Sequence, residues 1–302
     1  MAVLQDQRAL AVSRRYQWRR WAPRILLYLV VIILALVYLL PFFWMISTSL
    51  KRSAAVFMTP FQWIPKEPQW RNYQAFFTGE YLRDGNIIPM MRYLRNSAYV
   101  CFFGMLGALF SSTMVGFSLA RLRWPGRDVV FSILIATMML PGIVTLVPTF
   151  IIYKYLHWHD TYWPLFVPSW FGSAFYIFLV RQFLTGIPIE MDEAARIDGA
   201  SSFWILIRVI IPLARPVLAT VAIFSLLAHY NDFMSPLLYL NTADKFTFAL
   251  GLYWFKGWGE GTPNWNYVMA ASLIGLTPIL VLFFVAQRQF VQSIQLTGLA
   301  GR

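Results

Sequence analysis

A few polar side chains in this apolar chain have types and spacing that could support chemistry. His157, His159 and Asp160 are grouped like metal ligands, but a metal site normally needs three or four converging ligands, and the one remaining histidine is His229. We therefore interpret the histidine pair as an interfacial feature. His229 and Asp232 are three residues apart in an apolar stretch, where ionisable residues are typical of proton relays and solute pathways.

Other catalytic chemistry is missing from the sequence. No arrangement of serine, cysteine and histidine supports a nucleophilic mechanism. No glycine-rich phosphate loop that ends in lysine and serine or threonine is present. The single cysteine, Cys101, excludes an internal disulfide. We therefore expect no catalytic residue, no metal and no cofactor in this chain, which we do not expect to be an enzyme.

Residues 186–216 interrupt the apolar sequence with a short charged helix. Pro188 suits its first turn, because the missing N–H of proline costs nothing there. Three acids complement the positive end of the helix dipole: Glu190, Asp192 and Glu193. Gly199 offers the left-handed conformation that ends helices, so we expect the helix to stop near Asp198.

A second helix should follow the turn directly, with Ser201 or Ser202 as its cap. The first helix has about three turns and is too short to cross a bilayer. It must lie at the membrane surface or be held by a partner. Small residues leave part of its surface flat enough for another backbone to approach: Ala194, Ala195, Gly199 and Ala200. The alternatives are an interfacial helix or an ordinary cytosolic loop.

The composition predicts that these elements belong to a membrane protein. The chain has 302 residues, of which 59% are hydrophobic and 13% are charged, about half the charged share of soluble domains. Windows long enough to cross about 30 Å of hydrocarbon lie at 25–50, 96–120, 129–153, 161–180 and 261–287. A sixth window, 216–231, is interrupted by Asp232 and resumes at 233–240. Backbone groups in lipid must be paired within the protein, so we expect an all-α membrane protein with six transmembrane helices.

The basic residues predict the orientation. The net charge of +12 comes largely from arginines in short segments beside the apolar windows. This pattern sets membrane topology and does not indicate nucleic-acid binding. By this rule, both termini and the loop that contains Glu193 lie in the cytoplasm.

The charged loop resembles the EAA loop of permease subunits from bacterial ATP-binding-cassette importers. The similarity covers Glu193 to Ala200, which read E-A-A-R-I-D-G-A as in the carbohydrate branch, and the later Pro212. The C-terminal tail resembles that of the second permease subunit in maltose-type systems. In this family the loop is a coupling helix on the ATP-binding subunit. The resemblance thus implies eight coupling residues: Glu193, Ala194, Ala195, Arg196, Asp198, Gly199, Ala200 and Pro212.

The resemblance also implies a function and partners. The chain would form the pathway for a sugar with a sister permease, and a solute-binding protein outside the membrane would deliver the sugar. A dimer of ATP-binding subunits would use ATP and magnesium. The protein would lie in the bacterial inner membrane, in contact with lipid. Its parts would be a cytoplasmic tail (1–24), a first transmembrane helix (25–50), an extracytoplasmic loop (51–91), a permease domain (92–290) and a cytoplasmic tail (291–302).

Four residues are candidates for the pathway: Pro141, Gly142, Asn231 and Asp232. Pro141 and Pro148 should break helix hydrogen bonds, which suits a kinked helix beside a pathway and equally suits irregular packing. Asp232 is either functional at membrane depth or solvated near the outer interface. A secondary transporter that relays protons through Asp232 and His229 is the alternative function.

Overall fold

The computed structural model describes residues 2–60, 62–79, 89–257 and 264–299, and this part of the chain is helical without β-strands. Its α-helices are α1 (Ala2–Ser49), α2 (Arg71–Thr78), α3 (Met90–Arg121), α4 (Arg127–Thr137), α5 (Gly142–Tyr155), α6 (Trp163–Phe166), α7 (Ala174–Thr185), α8 (Glu190–Ile197), α9 (Ser202–Ile205), α10 (Ile211–Leu213), α11 (Arg215–Asn231), α12 (Met234–Tyr239), α13 (Phe248–Gly257) and α14 (Trp265–Leu299). The predicted all-α class is confirmed.

Continuous and broken helices account for the predicted spans. Four helical stretches in the described part are long and apolar enough to cross a membrane: Pro23–Ser49, Met90–Arg121, Trp163–Thr185 and Trp265–Gln287. Two bent pairs raise the number to six if each pair is one span. In one pair α4 meets α5 at 101°, and in the other Ser202–Leu213 meets α11 at 79°.

Prolines explain both bends. Pro141 stands immediately before α5 with extended backbone (ψ 132°), so α4 cannot continue through it. Pro148, which we also expected to break the helix, lies inside α5. At the second bend a π-helical turn, Leu206–Ile210, comes just before Pro212. Prolines and π-turns are the usual causes of sharp helix bends.

The predicted sixth window, 216–231 with an interruption at Asp232, agrees with α11, and the bend joins α11 to an earlier helical stretch. The bent span begins at Ser202 and α11 ends at Asn231. Asp232 has extended backbone, and its Oδ1 accepts a hydrogen bond from the Ser235 amide at 3.1 Å. This bond starts α12 as a separate short helix. The polar residue within the window therefore ends the span.

The two terminal regions and the first loop contain more helix than we expected. Helix α1 begins at Ala2, so the predicted tail is helical from residue 2 onward. Helix α14 extends to Leu299, and residues 1 and 300–302 lie outside the described part. In the loop, the side-chain amide of Asn72 donates to the carbonyls of Ser49 (2.7 Å) and Lys51 (2.9 Å). Asn72 also accepts a bond from Asn266 at 3.2 Å, which ties α2 to the start of α14.

Helix α3 is central because its small residues let neighbours approach closely. It packs against α7, α11 and the 3-10 segment Val167–Phe171. A Cβ at Gly104 would lie 2.3 Å from the imidazole of His229, and one at Gly107 would lie 2.4 Å from the Trp170 ring. Near the other end of α3, a buried apolar cluster joins the helices around α8: Ala108, Phe117, Val180, Leu184, Ile205, Leu206, Ile210, Ala214, Val217 and Val221.

Candidate functional site

The predicted charged helix is present as α8, but it begins later than expected. The carbonyl of Ile189, the cap residue, accepts hydrogen bonds from the amides of Asp192 (2.9 Å) and Glu193 (3.1 Å). Pro188 therefore precedes the cap, and its placement in the first turn was wrong. The acids occupy the first turn and Arg196 the last, so charge complements the helix dipole at both ends.

Gly199 ends α8 as the sequence predicts. Its φ is 83°, in the left-handed region. The amide of Gly199 donates to the Arg196 carbonyl at 3.0 Å, and the amide of Ala200 donates to the Ala195 carbonyl at 2.9 Å. These two bonds form a Schellman motif. No heavy atom lies within 4 Å of the place where a Cβ would be at Gly199, so the glycine is required by backbone conformation and not by lack of space.

The next helix begins directly after this turn. Ser201 Oγ accepts a hydrogen bond from the Trp204 amide at 3.2 Å, as expected of a helix cap. The Ser201 carbonyl also accepts from the Ile205 amide at 2.9 Å. Hydrogen bonds therefore fix the connection between α8 and α9.

The eight candidate coupling residues lie on two faces. Six are exposed: Glu193, Ala194, Arg196, Asp198, Gly199 and Pro212. Ala195 and Ala200 are half-buried and pack against the apolar cluster of α3, α7 and α11. The flat outward surface is thus smaller than we expected, since two of its four small residues face inward. Beside it, the apolar side chain of Ile197 is 87% exposed.

Asp192 on the inner face of α8 forms a buried ion pair that the sequence motifs do not single out. Its Oδ2 lies 3.7 Å from Nε of Arg121, the last residue of α3. Arg121 Nη2 donates a hydrogen bond to the Ile187 carbonyl at 2.8 Å. The available signal in the sequence was spacing, because Asp192 and Ala195 are three residues apart and share a helix face.

The candidate pathway residues lie at the ends of broken helices. Pro141 and Gly142 are exposed at the bend between α4 and α5. Asn231 is the exposed last residue of α11, and its side-chain amide donates to the Leu227 carbonyl at 2.9 Å. Among the residues that the structure describes, no hydrogen bond joins either member of the first pair to Asn231 or Asp232.

His229 and Asp232 do not bond to each other in the described structure. His229 Nε2 is 3.1 Å from Ser169 Oγ, and its Nδ1–H donates to the Ser225 carbonyl at 2.7 Å. Asp232 caps α12 through Ser235. The imidazole thus holds α11 against the segment Val167–Phe171, and the carboxylate has a structural role in starting a helix. The geometry gives no support to a proton relay between them.

Asp160, beside the histidine pair, binds a neighbouring loop. Its carboxylate accepts hydrogen bonds from Lys245 Nζ (2.7 Å) and from the amides of Asn241 and Thr242 (both 3.0 Å). Desolvation opposes ionisation at this site, but the bonds outweigh it, mainly that from Lys245, so the pKa of Asp160 lies well below its usual range. No three metal-ligating side chains converge anywhere in the described ranges.

Comparison with known proteins identifies the family of this chain. Residues 112–296 match the family model of the binding-protein-dependent transport system inner membrane component. The match covers more than half of the chain and includes α8 and both bent spans. The chain belongs to this family. It is thus a permease subunit of an ATP-binding-cassette importer.

Individual relatives of this permease are also named as transport system permeases. It is 29% identical over 281 residues to the arabinooligosaccharides transport system permease protein AraQ of Bacillus subtilis, covering 92% of this chain and 96% of the relative. It is 36% identical over 209 residues to the sn-glycerol-3-phosphate transport system permease protein UgpE of Shigella flexneri, covering 69% of this chain and 74% of the relative.

A solved structure has the same fold as this permease. It is the crystal structure of a bacterial ABC transporter involved in the import of the acidic polysaccharide alginate. The TM-score is 0.75 with 23% sequence identity, over 87% of this chain and 95% of the solved chain. The helical architecture described above is therefore a known membrane-transport fold.

Proposed function

We propose that this permease forms, together with a sister permease, the membrane pathway of a carbohydrate importer whose ATP is hydrolysed on separate subunits. One observation carries the coupling part of the proposal: α8 presents an exposed face next to a rigid turn. Ile197 adds a large apolar side chain to that face, and Glu193, Arg196 and Asp198 add charges. Apolar surface surrounded by polar residues is typical of a protein interface.

The coupling residues would have distinct roles. Glu193, Arg196 and Asp198 would make polar contacts with the ATP-binding subunit, while Ala194 leaves room for its backbone. Gly199 fixes the left-handed turn, and Ala195 and Ala200 pack α8 against this chain. Pro212, together with the π-turn before it, maintains the bend through which a displacement of α8 would reach α11.

The pathway would run along the exposed broken helices. Pro141 and Gly142 leave backbone groups unpaired by the helix ladder, and such backbone is tolerated at membrane depth where it is buried in protein or lines an aqueous cavity. Asn231 exposes a side-chain amide at the end of α11, and amides are suited to hydrogen bonding with sugar hydroxyls. Asp232 would support this position by capping α12.

The carbohydrate class is supported by the relative named for arabinooligosaccharide transport. The other relative is named for transport of sn-glycerol-3-phosphate, a phosphorylated polyol. We take the substrate to be a sugar or an oligosaccharide delivered by a solute-binding protein. The remaining partners would be a dimer of ATP-binding subunits, which uses ATP and magnesium, and membrane lipid.

The placement of arginines supports an inner-membrane orientation with both termini and α8 in the cytoplasm. The segments would be a cytoplasmic tail (1–24), the first span (25–50), an extracytoplasmic loop (51–91), the permease domain (92–290) and a second cytoplasmic tail (291–302). In this orientation, Asp160 and Lys245 lie on the outer side.

Purification of the tagged permease from its native membrane in mild detergent tests the proposal. We expect a second permease and an ATP-binding subunit to co-purify, and we expect arabinooligosaccharides with the solute-binding protein to stimulate ATP hydrolysis after reconstitution. Recovery of the chain alone, with uptake driven by a proton gradient, would overturn the proposal. Stimulation by a different class of solute would correct the substrate alone.

A further inference from the structure

We infer that Arg121 is a positioning residue for coupling, because its guanidinium holds α8 in place against the end of α3 through Asp192 and the Ile187 carbonyl. The inference rests on the proposed function of α8. It names a second contact, besides the bend at Pro212, through which a displacement of α8 would reach a membrane-spanning helix of the permease.

The geometry places one side chain on two parts of the same loop. The Arg121 and Asp192 side chains are 3% and 2% exposed. One end of the guanidinium donates to the Ile187 carbonyl at 2.8 Å, just before α8, while Nε faces Asp192 within its first turn at 3.7 Å. Arg121 thus fixes both the entry to α8 and the orientation of its inner face.

The Arg121–Asp192 pair acts mainly through charge. The 3.7 Å separation is too long for a hydrogen bond, but opposite charges attract more strongly at a buried site than in water. Neither Asp192 oxygen accepts a hydrogen bond from any residue in the described ranges. Removal of either partner would leave an uncompensated buried charge, whereas buried pairs as a whole contribute little net stability. The pair therefore specifies one placement of α8.

The two faces of α8 have different contacts. Glu193 and Asp198 are exposed and can contact a partner protein, while Asp192 is buried and cannot reach one. Apolar packing of Ala195 and Ala200 has no directional requirement, so small displacements of α8 are compatible with it. The charge pair supplies the directional contact, and a displacement of the docked outer face therefore acts on the end of α3.

The test compares Asp192→Asn with Asp128→Asn in the complete importer reconstituted with its solute-binding protein. Asp192→Asn keeps the side-chain shape and removes the charge. Asp128→Asn is the matched control, because Asp128 pairs with Arg127 at 2.9 Å but is 78% exposed. We expect Asp192→Asn to retain the ATP-binding subunit and to lose about fivefold or more in solute imported per ATP, the range of ordinary coupling effects. The control should match the wild type.

Two further measurements separate this inference from the proposed function. Hydrogen exchange at residues 190–197, measured on the permease alone, needs no partner, and we expect Asp192→Asn to accelerate it several-fold. The charge-swapped double variant, Arg121→Asp with Asp192→Arg, should recover part of the coupling that Asp192→Asn loses. Failure of the wild type to bind an ATP-binding subunit would refute the function of α8. The hydrogen-exchange result would still show whether the Arg121–Asp192 pair holds α8 in place.

Three results would overturn the inference. Unchanged exchange in Asp192→Asn would show that the pair does not hold α8. Faster exchange with normal import per ATP would reduce the pair to a structural contact. A charge-swapped double variant that imports no more solute per ATP than Asp192→Asn would show that attraction between the two charges does not position α8.

Discussion

Asp160 and Lys245 join two loops that lie 85 positions apart in the sequence, through a 2.7 Å ion pair. Asp160 follows α5 and Lys245 precedes α13. The backbone carbonyl of Asp160 also accepts a bond from Lys245 Nζ, at 2.6 Å. The loops that follow α5 and α12 are thereby held together.

We expect Asp160→Asn to destabilise the protein at neutral pH. Hydrogen bonds to a charged group contribute about 1.5–3 kcal/mol each, so thermal unfolding in detergent should shift down by several degrees. Asp128→Asn is the control, since an exposed ion pair contributes about 0–1 kcal/mol. Equal unfolding temperatures for wild type and Asp160→Asn at neutral pH would contradict this account.

The same pair predicts a pH dependence. The pKa of Asp160 is lower in the folded than in the unfolded protein, so its stabilisation is complete above the unfolded pKa of about 4 and is lost as pH falls through the folded value. The difference in unfolding temperature between wild type and Asp160→Asn should be constant from neutral pH to about pH 5 and shrink below about pH 4. A difference that persisted undiminished into strong acid would be inconsistent with this linkage.

Substitution of Gly199 separates backbone conformation from side-chain size. Valine disfavours a φ of 83° and would cost about 1–2 kcal/mol, which we expect to distort the turn after α8 and to uncouple ATP hydrolysis from uptake. Gly199→Asn is the matched control, because asparagine tolerates the left-handed region. Uptake and ATPase activity should be near normal with asparagine and poorly coupled with valine. Normal uptake with valine would refute the role of this turn.

Two substitutions of Asp232 show whether its carboxylate acts as a helix cap or as a proton carrier. The Asp232→Asn variant retains a side-chain oxygen that can accept the Ser235 N–H, whereas Asp232→Ala does not. We therefore expect near-normal uptake in Asp232→Asn and a loss of about 1 kcal/mol of stability in Asp232→Ala. Uptake that was abolished in Asp232→Asn and that collapsed with the proton gradient would instead support a relay.

Local signals in the sequence predicted α8 and its turn well. Gly199, the acids of the first turn and the Ser201 cap act within a few residues, so their effects follow from backbone preferences alone. Pro141 similarly predicted a helix break. Pro188 was misplaced, because it precedes the cap Ile189, and residue preferences locate a helix end only to within one or two residues.

Tertiary contacts could not be predicted in this way. Arg121 and Ile187 are 66 positions apart, and nothing in either segment indicates that they meet. The burial of Asp192 likewise depends on the position of α3, while composition alone describes an acid on a charged surface helix. Two acids that look equivalent in the sequence thus differ in environment, since Asp192 is buried and Glu193 is exposed.

The central claim is that the outer face of α8 docks on an ATP-binding subunit, and cross-linking tests it most directly. Cys101 is the chain's single cysteine and is buried, so an Ile197→Cys variant in a Cys101→Ser background carries one exposed thiol. We predict that a short thiol-reactive photocross-linker at this position captures the ATP-binding subunit in membranes, whereas the same probe at Ile64, 75% exposed in the first loop, does not. Capture of the ATP-binding subunit from Ile64, and not from Ile197, would contradict the account.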